Sequence, residues 1–157
     1  MKTFKLLLPL LSLGLLLFIA SCGSSPSPPE SIPDQQLGKL SKTWKIKTVT
    51  LDGNAVTTPP YTGFQLTITG TKGNTSFGYT TTGRPTLSAW KASGTWAFGA
   101  DPVTMITRDP DNTADKLDMT YAIDAAGQNL QISFNYQGNG FTRTDAVKGN
   151  WVFTFTL

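Results

Sequence analysis

Four segments of this chain alternate apolar and polar residues, and that period of two constrains the fold more than any other feature. Phe64, Leu66 and Ile68 interleave with Gln65, Thr67 and Thr69; Leu117, Met119, Tyr121 and Ile123 with Lys116, Asp118, Thr120 and Ala122. Leu130, Ile132, Phe134 and Tyr136 alternate with Gln131, Ser133 and Asn135, and Trp151, Phe153, Phe155 and Leu157 with Val152 and threonines. Successive side chains on a strand point to opposite faces, so each segment buries one face and leaves the other in water. Strands with a single apolar face pack as antiparallel sheet over one core.

Shorter strand candidates lie between these runs. Residues 44–51 are β-rich, but their apolar positions slip by one between Ile46 and Val49, the signature of a β-bulge. Asp52-Gly53-Asn54 then supplies turn chemistry. Phe77 and Tyr79 mark another strand, residues 94–98 and 103–107 two more, and residues 141–148 a weaker one. Residues 37–41 suggest a turn of helix. Eight or nine strands joined mostly by short turns favour a meander, and eight meander strands close most readily as an up-and-down barrel. The expected fold is all-β: an antiparallel eight-stranded up-and-down barrel with short helical turns at most. A β-sandwich that contacts a glycan or protein partner through its surface is the alternative. A membrane-spanning barrel would need strands of about 9–11 residues, longer than most of the runs here.

The start of the chain carries an address. Lys2 and Lys5 precede a leucine-rich stretch, residues 6–20, that closes on Ile19-Ala20-Ser21-Cys22. A basic segment, a short apolar segment and small residues before a cleavage point make a secretory signal peptide. Pro9 and Gly14 interrupt the stretch, which falls short of the ~20 residues of a spanning helix. With the only cysteine directly after the small pair, the segment resembles the lipobox of bacterial lipoproteins. The resemblance implies cleavage before Cys22, a diacylglyceryl thioether on its sulfur and an N-acyl chain such as palmitate. One acyl chain, at about 0.8 kcal/mol per buried CH₂, anchors only marginally, and several anchor firmly. The expected organisation is a signal peptide at 1–21, a lipidated Pro/Ser-rich tether at 22–36 and a barrel domain at 37–157.

Loss of Lys2 and Lys5 takes the formal charge from +3 to +1, which leaves no basic excess for nucleic acid. The chain has no histidine, and lipid consumes its one thiol. Ser-His-Asp sites, Cys-His sites and the usual zinc ligand sets are thereby excluded. Paired carboxylates remain as a chemical option, but most aspartates fall in turns (Asp52, Asp101, Asp109, Asp111, Asp124), and Asp118 lies on a polar face. No catalytic residue is expected. Residues 109–115 (DPDNTAD) resemble half of a calcium loop, yet lack the glycine at its sixth position and the glutamate at its twelfth, where Thr120 stands. They read as a turn, and neither metal nor other cofactor is expected.

The aromatics are the remaining candidates. An eight-stranded barrel is either filled by side chains or holds one small ligand. Trp96, Tyr121, Phe134 and Phe153, inward on different strands, are the residues expected to line a pocket for a small apolar ligand, or else to fill the core. Trp90, beside Lys91 in an irregular segment, reads as an exposed stacking platform for sugar or a cap on the barrel end.

Trp44-Lys45, Leu51-Asp52-Gly53, Gly94-Thr95-Trp96-Ala97-Phe98 and the closing residues 149–157, taken with the lipobox and tether, resemble the lipocalin-like lipoproteins of Bacteroidetes. That resemblance implies a calycin-type eight-stranded barrel over residues 37–157. The functional expectation is a monomeric, lipid-anchored envelope protein, held at the outer membrane through Cys22 with the periplasmic face favoured. It would bind a small apolar ligand or serve as a non-enzymatic envelope component.

Overall fold

The computed structural model describes residues 28–56, 61–86, 88–138 and 147–157. The expected signal peptide and Cys22 therefore lie outside the described residues. One helix, α1 (Ile32–Leu40), precedes nine strands: β1 (Thr43–Leu51), β2 (Asn54–Ala55), β3 (Gln65–Thr69), β4 (Phe77–Thr82), β5 (Ser93–Phe98), β6 (Met105–Arg108), β7 (Leu117–Ile123), β8 (Asn129–Tyr136) and β9 (Gly149–Thr156). From β3 onward each strand pairs antiparallel with the next, and β1 pairs with both β3 and β9. Trp44 opposes Leu66 on one side, while Val49 opposes Phe153 on the other. The sheet thus closes into an eight-stranded up-and-down barrel, with β2 a two-residue appendage. Closure rules out the two open sheets of a sandwich.

The slip in β1 is real. Its register with β9 shifts between Ile46 and Thr48, so the strand bends there. Its first part pairs with β3 and its last residues turn back onto β2 through Asp52-Gly53, both at positive φ (49° and 80°). An Asp-Gly pair suits such a two-residue hairpin, because aspartate tolerates the left-handed region and glycine occupies it freely.

The helix is longer than the single turn expected, and begins inside the stretch read as tether. Ser31 caps it, accepting the Asp34 N–H at 3.3 Å, and Pro33 sits in the first turn, where a missing N–H costs nothing. A serine–proline pair thus starts a helix here instead of continuing a polyproline linker. Asp34 accepts the Gly73 N–H at 2.8 Å, and this bond holds its carboxyl below the usual carboxylate value. Leu37 and Leu40 are buried, and the Trp44 indole donates to Leu40 O at 2.9 Å. The helix therefore closes the barrel end that also carries the turns at 70–76, 99–104 and 124–128. Residues 83–86, 88–92 and 109–116 lie at the opposite end. Of the weak strand expected at 141–148, residues 141–146 lie outside the described residues. Val147 and Lys148 are not strand, and the Val147 carbonyl accepts the Trp151 indole at 2.8 Å.

Side chains alternate as the sequence requires. Leu66, Ile68, Tyr79, Trp96, Ile106, Met119, Ile132 and Phe153 point inward, while Thr48, Thr67, Thr80, Thr120, Gln131 and Thr154 cover the outside. A polar exterior over an apolar interior is the reverse of a membrane-spanning barrel. No helix among the described residues is long and apolar enough to cross a membrane.

Candidate functional site

The barrel interior is nearly full. The internal cavity, bordered by Leu40 at the helix end and by Trp90 and Arg108 at the other, measures about 20 Å³. That is room for about one water molecule.

Trp96, Tyr121, Phe134 and Phe153 are all buried, but they do not converge on one pocket mouth. Phe134 and Phe153 stack, with centroids 5.7 Å apart and planes 10° apart. Trp96 belongs to a separate group with Phe77 (4.6 Å) and Phe98 (5.1 Å), and its indole donates to Gly78 O at 3.1 Å. Tyr121 donates to Pro102 O in the turn at the helix end, and burial pushes its phenol pKa upward. Of the four, Trp96 alone borders the cavity.

Of the two readings of Trp90, the structure supports the loop aromatic that caps the barrel end. It is no exposed platform: 2% of its surface meets solvent, because residues 88–92 fold back over the barrel end and drive the indole into the interior. There it meets the edges and faces of Tyr79 (5.8 Å), Phe134 (5.8 Å), Phe153 (5.9 Å) and Phe64 (6.3 Å). The sequence around Trp90 has no period of two, so nothing in its pattern marks the ring as interior.

Beside this ring lies an ionic cluster, buried at Arg108 and Asp109 and partly exposed at Lys91 and Asp115. Arg108, 3% exposed, donates through Nη1 to Ala89 O at 2.7 Å and places its guanidinium 5.8 Å from the Trp90 ring centre. Asp109 follows at φ 48°, accepts the Thr95 N–H at 2.9 Å and faces the Tyr79 hydroxyl at 3.5 Å. Lys91 bridges Asp109 (3.4 Å) and Asp115 (2.9 Å), and these contacts raise the lysine pKa against the opposing pull of desolvation. Two carboxylates of the supposed calcium-like turn are thus committed to a lysine. Among the described residues, no three acids, cysteines or histidines gather as a metal site. Burial pushes the Tyr79 phenol up strongly, Arg108 pulling against it and Asp109 adding to it.

Two donors in this region lack partners: Trp90 Nε1 and Arg108 Nε. The nearest carboxylate oxygen to Arg108 Nε is Asp109 Oδ2 at 3.7 Å, beyond hydrogen-bond reach. Buried donors are nearly always satisfied, so a pair of orphans on two residues bordering one cavity marks that place as unusual for a plain core. Arg108 was legible in principle. It falls on the same alternating phase as Ile106, and a charged residue on an inward phase is a site signal.

No known protein family, no curated protein and no solved structure matches this chain.

Proposed function

We propose that this protein is an exported, lipid-anchored, non-enzymatic barrel of the cell envelope that binds a small apolar molecule inside the barrel, in place of the Trp90 indole. The observation that carries this reading is that a loop, not a strand, supplies the central ring of the interior. A strand-borne ring leaves only if the sheet breaks, whereas residues 88–91 lie outside the strand ladders and can lift while β3–β9 and β1 stay paired. A Trp side chain buries roughly 200 Å², about 5 kcal/mol at 25 cal/mol per Å². Only an occupant of comparable apolar area offsets that loss, which makes the ligand apolar and about the size of an indole. The basic leader and the Ile19-Ala20-Ser21-Cys22 segment support export and anchoring, with the outer membrane and its periplasmic face as the favoured site.

Native mass spectrometry of the protein purified from its own host tests the ligand. A retained small molecule is the expected result. A bare mass of polypeptide plus acyl chains would favour a second reading, in which the filled barrel is a structural envelope component. The anchor is tested separately: Cys22→Ala should move the protein out of the detergent phase, and unchanged partitioning would remove the lipid from the account.

A further inference from the structure

We infer that the molecule taken in place of Trp90 is an uncharged planar aromatic bearing one carbonyl-type oxygen, held by the guanidinium of Arg108. This inference rests on the interior site proposed above and names the ligand class for it. Shape follows from the walls. Tyr79, Phe134 and Phe153 present rings to Trp90 at 74°, 87° and 88°, so the space vacated by the indole is a slot for a flat ring system of about that size.

The polar requirement follows from Arg108. Its Nη1 donates to the carbonyl of Ala89, the residue next to Trp90, so displacing the indole carries that acceptor away. Its Nε has no hydrogen-bond partner even with the loop in place. An open site therefore offers two guanidinium donors to an apolar cavity, and buried donors demand an acceptor. Charge decides which acceptor. Arg108 and Lys91 are already matched by Asp109 and Asp115 within the same cluster. An anionic ligand would add a third, uncompensated negative charge to a dry interior, which is costly. A neutral oxygen replaces the Ala89 carbonyl like for like.

The test uses the full-length chain in detergent solution and three probes matched in ring size: indole-3-carboxaldehyde, 3-methylindole and indole-3-carboxylate. In Trp90→Gly, which opens the slot while the Ala89 carbonyl stays on Nη1, the free donor is Nε, and calorimetric titration should show the aldehyde binding at least tenfold more tightly than the other two. In Trp90→Gly with Arg108→Met, the preference for the aldehyde over 3-methylindole should collapse to about onefold while 3-methylindole affinity holds. If Arg108→Met does not fold, Arg108→Lys, which keeps the charge and loses the planar fork, should still cut the preference severalfold. The wild-type chain should bind the aldehyde more weakly than Trp90→Gly, with a change in indole fluorescence as Trp90 leaves.

Equal affinity for aldehyde and 3-methylindole in Trp90→Gly would overturn the ligand class and leave the interior site standing. Tightest binding of the carboxylate would overturn the charge argument in the same way. A folded Trp90→Gly that binds none of the three would overturn the interior site itself. Binding by the variant with none by the wild type at millimolar aldehyde would show a permanent plug and overturn both.

Discussion

The two walls of this barrel are built differently. From β7 through β8 and β9 to β1 the strands run seven to nine residues, and β8 and β9 stay in register from Asn129↔Thr156 to Tyr136↔Gly149. Among their inward side chains are the wholly apolar Leu130, Ile132, Phe134, Phe153 and Phe155. The opposite wall, β4 to β6, has strands of six, six and four residues, and β5 meets β6 only from Trp96↔Arg108 to Phe98↔Ile106. It carries the buried Arg108 and Asp109 and the loop that delivers Trp90. Long registered strands over stacked rings supply cohesion. That surplus lets the short wall tolerate an orphaned donor and buried charge, features that collect where a molecule has a task besides staying folded.

The sharpest way to break this contrast is to cut one ring from each wall. Phe153 is fully buried, so Phe153→Ala should cost about 3–5 kcal/mol in urea denaturation. Half-buried Phe98→Ala should cost less than half as much. Equal losses would mean that stability is spread evenly around the barrel.

Alkaline titration probes both walls together. Burial raises the phenol pKa of Tyr61, Tyr79 and Tyr121 above the ordinary 10.0. The unfolded chain ionises near that value while the fold keeps these phenols neutral. Their contribution to stability is complete below about pH 10 and is lost as pH rises through the folded values. Phenolate absorbance should therefore grow together with loss of the near-ultraviolet aromatic dichroism. Full ionisation near pH 10 with that dichroism intact would contradict the burial.

Gly94→Ala is directed at the short wall alone. A Cβ at Gly94 would press on Asp109 Oδ1 and come within 2.7 Å of the Tyr79 ring. Overpacking of this kind costs about 1–3 kcal/mol, and the midpoint of thermal unfolding should fall while the Phe134–Phe153 stack persists. Smallest of all is Ser31→Ala, which removes the helix cap and should cost about 1 kcal/mol without touching either wall.

The long wall was legible in the sequence because period-two alternation and burial coincide there. The residues of β7 follow from Leu117, Met119, Tyr121 and Ile123, and the β1 bulge from the slip after Ile46. Closure followed from the short turns. The short wall was not legible in the same way. Trp90 is buried by a loop, which has no periodicity to read, and Pro33 looks like linker until Ser31 is recognised as its cap. Trp96, Tyr121, Phe134 and Phe153 were rightly inward, but an inward phase does not tell a lining residue from a filling one. That distinction depends on how far the opposite side reaches, and here Trp90 reaches across from the loop.

Native-state hydrogen exchange of the full chain tests the central claim most directly, because it reads local opening and global unfolding separately. The loop that carries Trp90 should open while the barrel stays closed. Amides of residues 88–92 should then exchange through a local opening well below the global free energy, while those of β8 and β9 exchange only by complete unfolding. Exchange of both regions at the same free energy would show that Trp90 is ordinary core and that no interior site opens.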